Sequence, residues 1–324
     1  MKLHFWGTRG SIPKSNSAVD ARLKVKKGLI AARGHDLSTD EALEQFLDQL
    51  PFSIVGNYGG NTTCYEIQEA SAPNEYILFD AGSGLRSFGA DYMAKGKGGE
   101  QSTFHIFFSH LHWDHIQGFP FFIPAYIPGN RVILHGHHPA LPDVLKYQME
   151  APFFPVPLSI MGADIEYDIQ PPGTPFSVAG FNITTLRQHH PGVSFGYRFE
   201  KDGKAIVLST DSEHKDNYHD ENYPFVEFCR DADIVVFDAQ YMHADATGAK
   251  EDWGHSSNLI GVELCARAKA KTLCMVHHEP TADDEELEDL ENGTRRYCEI
   301  HGAEEPDPYP KQIYMAYDTL SIQI

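Results

Sequence analysis

Short apolar runs rich in β-branched and aromatic residues recur along most of the chain, punctuated by Gly, Asn, Asp and Pro. Residues 3–6, 63–68, 76–80, 104–109, 131–135 and 182–187 have the length and composition of strands. Residues 193–199 and 204–209 flank Asp202-Gly203. That dipeptide suits a two-residue hairpin turn, because both positions tolerate positive φ. Further strands are predicted at 234–238, 272–276, 312–316 and 320–324. Helical spacing is rarer. Ser38-Thr39-Asp40-Glu41 has capping-box spacing and precedes Leu43, Phe46, Leu47 and Leu50 on one face, predicting a helix near 39–50. Residues 256–270 place Leu259, Val262, Ala266 and Ala270 on an apolar side. Residues 283–300 open on acids, as suits a helix N-terminus, with Gly293 as a candidate break. Many strands with helices between them predict an α/β fold whose sheets pack face to face under outer helices.

No internal repeat or low-complexity linker divides the chain, so residues 1–324 read as one domain. Residues 14–56 interrupt the strand pattern as an insertion. Its basic first half (Arg22, Lys24, Lys26, Lys27, Arg33) reads as a solvated loop ahead of the helix near 39–50. Residues 118–128 and 151–158 are rich in Pro and aromatics.

Composition narrows the function classes. A chain of 324 residues, 41% hydrophobic and 22% charged, is long enough for a large core. It has no apolar run approaching the roughly 18–20 residues of a membrane span. The opening Met1-Lys2-Leu3-His4-Phe5-Trp6-Gly7 lacks the apolar centre of a signal peptide, so a cytoplasmic protein without a membrane partner is expected. The five cysteines are scattered without a CxxC pair, which disfavours a disulfide framework or a thiolate metal site. The net charge of −20 makes a long nucleic acid a poor partner, since polyanions bind through Lys and Arg. A small anion remains compatible, because bound metal supplies its own positive charge.

The chemistry concentrates at one strand end. His110-Leu111-His112-Trp113-Asp114-His115 follows the run at 104–109 and crowds three imidazoles and a carboxylate into six positions. Alternate side chains in extended chain share a face, so His110, His112 and Asp114 can converge. Imidazole and carboxylate are ligands for zinc, iron or manganese. Three more apolar runs end in metal-competent residues: His189-His190, Asp211, and His277-His278. Strand ends are where an α/β sheet places its site. One residue from each, added to the first cluster, gives seven ligands, enough for two ions.

These motifs resemble the metallo-β-lactamase superfamily, and within it the phosphodiesterase branch that includes tRNase Z and phosphoribosyl cyclic phosphodiesterase. The resemblance rests on the HxHxDH segment, Phe5-Trp6-Gly7-Thr8-Arg9-Gly10-Ser11-Ile12-Pro13, Gly60-Asn61-Thr62-Thr63 and Phe79-Asp80-Ala81-Gly82-Ser83-Gly84. It implies an αβ/βα sandwich of two mixed sheets with outer helices. Gly196-Tyr197 selects His190 over His189 by the branch's spacing, and Pro280 selects His277 over His278. By the same carry-over His110, His112 and His190 hold one metal, Asp114, His115 and His277 the other, and Asp211 bridges. Asp80 would orient a ligand imidazole. Gly254-His255-Ser256-Ser257 resembles the branch's HS[ST] motif, making His255 a candidate general acid assisted by Asp238, which stands where the branch usually has Glu.

The expectation is a dinuclear hydrolase, with zinc the leading ion and manganese or iron compatible. Water activated between the ions would attack a small phosphodiester such as a cyclic nucleotide, with Asp114 orienting it. The basic glycine-rich arm by which tRNase Z grips tRNA has no counterpart here. Phe119, Phe121, Phe122, Phe153 and Phe154 are candidates for stacking a base. Thioester or lactone hydrolysis is the rival enzyme reading, and a non-catalytic metal or redox sensor the rival from another class. A homodimer is compatible with all three.

Overall fold

The computed structural model describes residues 1–69, 73–246 and 248–324. Its strands are β1 (Lys2–Gly7), β2 (Cys64–Gln68), β3 (Glu75–Phe79), β4 (Thr103–Phe107), β5 (Arg131–Gly136), β6 (Asp164–Ile169) and β7 (Phe176–Val178). After them come β8 (Phe181–Gln188), β9 (Ser194–Lys201), β10 (Lys204–Ser209), β11 (Ile234–Asp238), β12 (Thr272–Val276), β13 (Gln312–Met315) and β14 (Ser321–Gln323). The helices are α1 (Ala18–Ala31), α2 (Asp40–Leu47), α3 (Phe52–Val55), α4 (Gly84–Ala94) and α5 (Trp113–Ile116). They continue with α6 (Leu141–Gln148), α7 (Pro224–Phe228), α8 (His243–Ala246), α9 (Asn258–Ala268) and α10 (Asp284–His301).

Two mixed sheets of seven strands form the sandwich, ordered β14-β1-β2-β3-β4-β5-β6 and β13-β12-β11-β10-β9-β8-β7. In the first, β3 to β6 run parallel; in the second, β10 to β13 do. The layer between the sheets is built from alternate positions of each strand, such as Phe5, Phe79 and Phe107 facing Tyr197, Ile206, Leu208 and Val236. The intervening residues Val207, Val235 and Phe237 point outward to a second core under α7, α9 and α10. Leu78, Phe104 and Ile106 do the same under α4. Burial on both faces explains why the central parallel strands β10, β11 and β12 read as continuous apolar runs rather than alternating ones.

The hairpin at Asp202-Gly203 forms with both residues at positive φ (51° and 73°), pairing Lys201 with Lys204. Gly293 does not break α10, whose N-terminus is closed by a capping box between Asp283 and Glu286. The N-cap of α2 is Thr39, whose hydroxyl accepts from Ala42 N.

The basic half of the insertion is a helix, not a loop. Ser17 and Asp20 close a capping box at the start of α1, none of whose residues is buried. Lys24 pairs with Asp284 and donates to Gly56 O, and Lys27 pairs with Glu285. The basic side chains therefore clamp the insertion onto the acidic first turn of α10, where negative charge also suits the helix dipole.

Candidate metal centre

The predicted ligands arrive at one edge of the sandwich because their strands end there. Asp80 follows β3, His110 to His115 follow β4, Asp211 follows β10, Asp238 closes β11 and His277 follows β12. β8 lies antiparallel to β9 and β9 to β10, so the end of β8 that carries His190 meets the same edge. Asp80, Asp211 and His277 all have positive φ (58°, 52° and 61°), a turn taken immediately as each strand ends. For non-glycine residues this conformation carries strain that clusters at functional sites.

Six buried side chains and the exposed His112 form two groups that share Asp211: His110, His112 and His190 in one, and Asp114, His115 and His277 in the other. The ligand atoms within each group lie within 4.8 Å of one another. Asp211 divides its two oxygens between them. Its Oδ2 is 3.7 Å from the Nε2 atoms of both His110 and His190. Its Oδ1 is 3.1 Å from His115 Nε2 and 3.3 Å from His277 Nε2. Asp114 Oδ2 lies 3.2 Å from those same two imidazoles.

The surrounding hydrogen bonds fix which nitrogen each imidazole presents. His115 Nδ1 donates to Asp80 Oδ2 (2.7 Å), His190 Nδ1 to Gly254 O (2.9 Å) and His277 Nδ1 to Gln240 Oε1 (2.9 Å). Ser109 Oγ donates to Asp80 Oδ2, so it accepts from His110 Nδ1 (3.0 Å). Four rings thus turn an unprotonated Nε2 into the cluster when neutral, the arrangement that metal-binding histidines require. His110 Nε2 and His115 Nε2 are buried with no hydrogen-bond partner of acceptable geometry. A divalent cation satisfies such lone pairs, so the donor set fits a metal.

Electrostatics agree. Burial pushes Asp114 and Asp211 upward, but the neighbouring imidazoles outweigh it and hold both carboxyls well below their usual range. Burial lowers His110, His112 and His190. It opposes charge on His277 as well, yet Asp211 and Asp114 push that ring up to about 9, and His115 is raised by the same carboxylates with Asp80. The two carboxyls are therefore held ionised, and the protons favoured on His115 and His277 are ones that a bound cation would displace.

The structure also separates the paired histidines. His190 lies in the cluster, whereas His189 is exposed with its Nε2 4.0 Å from Glu213. His277 lies in the cluster, whereas His278 Nε2 turns away to Ala316 O at 2.6 Å. His255 Nδ1 sits 2.8 Å from Asp238 Oδ2, and its ring stacks on His277 at 4.8 Å between centroids.

Several supporting groups escaped the sequence reading. Ser11 N donates to Asp114 Oδ2 at 2.9 Å from a positive-φ turn, and Thr62 Oγ1 donates to Asp114 O at 2.7 Å. Gln240 and the Gly254 carbonyl orient His277 and His190. Their signal was positional: each sits beside a motif residue, but which ring it serves depends on the folded chain. The aromatic candidates also divide. Phe119 and Phe122 are fully buried core, while Phe121 and Phe153 are 53% and 61% exposed. Phe119 and Phe122 are thus unavailable for stacking.

Sandwich and site together are those of a metallo-hydrolase. Residues 75–278 match the family model described as Beta-lactamase superfamily domain, and the chain belongs to that superfamily. It is 24% identical over 177 residues to the probable metallo-hydrolase YhfI of Bacillus subtilis (strain 168), covering 47% of this chain and 68% of that protein. It is 26% identical over 221 residues to ribonuclease Z of Geobacillus kaustophilus (strain HTA426), covering 53% and 69%. A crystal structure of a diphosphatase from the PhnP family is similar with a TM-score of 0.57 at 18% identity, over 100% of this chain and 97% of that one.

Proposed function

We propose that this protein is a cytoplasmic phosphodiesterase that uses two divalent ions, zinc foremost, to hydrolyse a small phosphodiester such as a cyclic nucleotide. The observation that carries the reading is the division of Asp211, one oxygen toward each group of imidazoles. His110, His112 and His190 would hold one ion, Asp114, His115 and His277 the other, and Asp211 both. Bound ions of this kind supply positive charge to both oxygens of an in-line displacement at phosphorus and acidify a water. Asp114, kept ionised and held by the Ser11 amide, orients the attacking water. His255, braced by Asp238, delivers a proton to the departing oxygen.

The ribonuclease relatives support phosphodiester chemistry. The charge of −20 favours a small diester over a long polyanion. The test is to load metal-stripped protein with zinc or manganese and compare bis-p-nitrophenyl phosphate with S-lactoylglutathione. Turnover of the diester alone, lost on chelation and restored by metal, is expected. Turnover of the thioester alone would overturn the proposal in favour of the thioester or lactone reading. Two bound ions with no turnover of either would favour a sensor.

A further inference from the structure

We infer that the cavity beside Trp113 is the subsite for the organic group of the substrate, and that it takes a planar heteroaromatic ring of the nucleobase kind. The inference rests on the phosphodiester reading above and names its substrate class. α5 presents two faces. Asp114 and His115 turn into the metal cluster, while Trp113, Ile116 and Gln117 line a cavity of about 580 Å³. The cavity and the metal cluster thus draw on adjacent residues of one short segment, Trp113 lying between the exposed His112 and Asp114.

Its walls are aromatic and open. Phe121 and Phe154 meet edge to face at 5.5 Å between centroids, and Tyr147 lies 5.2 Å from Phe153. Trp113, Tyr147 and Phe153 are exposed by 73%, 61% and 61%, a concentration of solvent-facing rings that marks a recognition surface. Among the described residues no Asp, Glu, Lys or Arg lines the cavity, although 22% of the chain is charged. The occupant that matches is uncharged and flat-faced, since every nucleobase offers a π-face to aromatic walls.

Two glutamines add directionality. Gln117 Nε2 donates to Thr62 Oγ1 and Gln148 Nε2 to Ile116 O. Their carbonyl oxygens have no protein donor among the described residues and suit an exocyclic amine. Independently, the chain's other exposed tryptophan, Trp253, immediately precedes Gly254, whose carbonyl holds His190. Both exposed tryptophans thus flank the centre in sequence.

The test is calorimetric binding of three phosphates to the zinc-loaded protein: 5′-AMP, ribose 5-phosphate and hexyl phosphate. AMP is expected to bind about 5- to 150-fold more tightly than ribose 5-phosphate, the range that stacking of one base supplies. Hexyl phosphate should gain no comparable advantage. Trp113→Ala and Phe153→Ala should each collapse the AMP advantage with metal content unchanged, and Phe153 is exposed enough that its loss spares the fold. Equal affinity for AMP and ribose 5-phosphate would overturn the inference, as would an undiminished gap in both variants. Hexyl phosphate matching AMP would overturn it in favour of an aliphatic chain. Since binding needs no turnover, a retained gap without hydrolysis would remove the phosphodiesterase reading and leave the subsite standing.

Discussion

Asp238 Oδ2 stands 2.8 Å from His255 Nδ1, and the same carboxylate accepts from Ser212 N (3.2 Å) and Gln240 N (3.1 Å). These bonds fix the carboxylate, which in turn fixes the imidazole against the ring of His277. The pair joins the last position of β11, which carries Asp238, to the segment just ahead of α9, which carries His255. His255→Ala is predicted to lower kcat about 10²- to 10⁴-fold, as loss of a general acid does, while both metal equivalents remain. Elemental analysis beside the kinetics checks this. Loss of an equivalent of metal would make His255 a ligand instead, since its ring nitrogen, Asp238 and His277 are also mutually close.

Asp211→Ala is expected to strip both ions, and His190→Ala only one, if Asp211 spans the two groups. Titrating zinc at pH 7.5 in buffers of different ionisation enthalpy should reveal proton release. His277, pushed up to about 9, is protonated there and must lose its proton to bind metal. Apparent affinity should therefore rise with pH up to about 9. Zinc binding without proton release would contradict that arrangement.

Gly254 is required at its position for two reasons. Its φ is +89°, and a Cβ there would lie 2.3 Å from His190 Nδ1. Gly254→Ala should displace His190 and weaken metal binding about 10- to 100-fold, the usual effect of disturbing a ligand's support. Zinc titration against a competing chelator measures it. Gly10→Ala tests the opposite side of the centre, where a Cβ would meet His277 Nδ1 at 2.5 Å.

Burial of His214 against Phe225 and Phe237 pushes its pKa down to about 3. Between pH 6.5 and about 3 the unfolded chain takes up a proton that the folded ring refuses, so stability falls as pH drops through that window. The loss is at most about 1.4 kcal/mol per pH unit. His214→Phe should flatten the acid limb of urea-melt stability by that slope. It should cost about 1 kcal/mol at pH 8, where the bond to Tyr223 Oη is lost. An unchanged acid slope would contradict the assignment.

The strands of the inner layer were legible because burial on both faces demands unbroken apolar runs, as at Ile206-Val207-Leu208. α1 was missed because its apolar residues answer to no core: Val19, Val25 and Leu29 remain exposed by 74%, 63% and 68%. A helix held by capping and by Lys24 and Lys27 leaves little apolar periodicity, although Ser17 and Asp20 carried its start signal. The edge strands β6 and β7, only partly buried, gave an equally weak pattern.

By itself the sequence determined the parts: strands with two-sided burial, each ending in imidazole or carboxylate, because local composition sets secondary structure and ligand chemistry. Tertiary structure decided which parts meet. His277 and His278 are neighbours of the same type, yet a φ of 61° sends the first into the cluster, and the second bonds Ala316 instead. Likewise Phe121 lines a cavity and Phe122 fills a core. Side-chain direction and burial depend on chain a hundred residues away, and no local pattern records that.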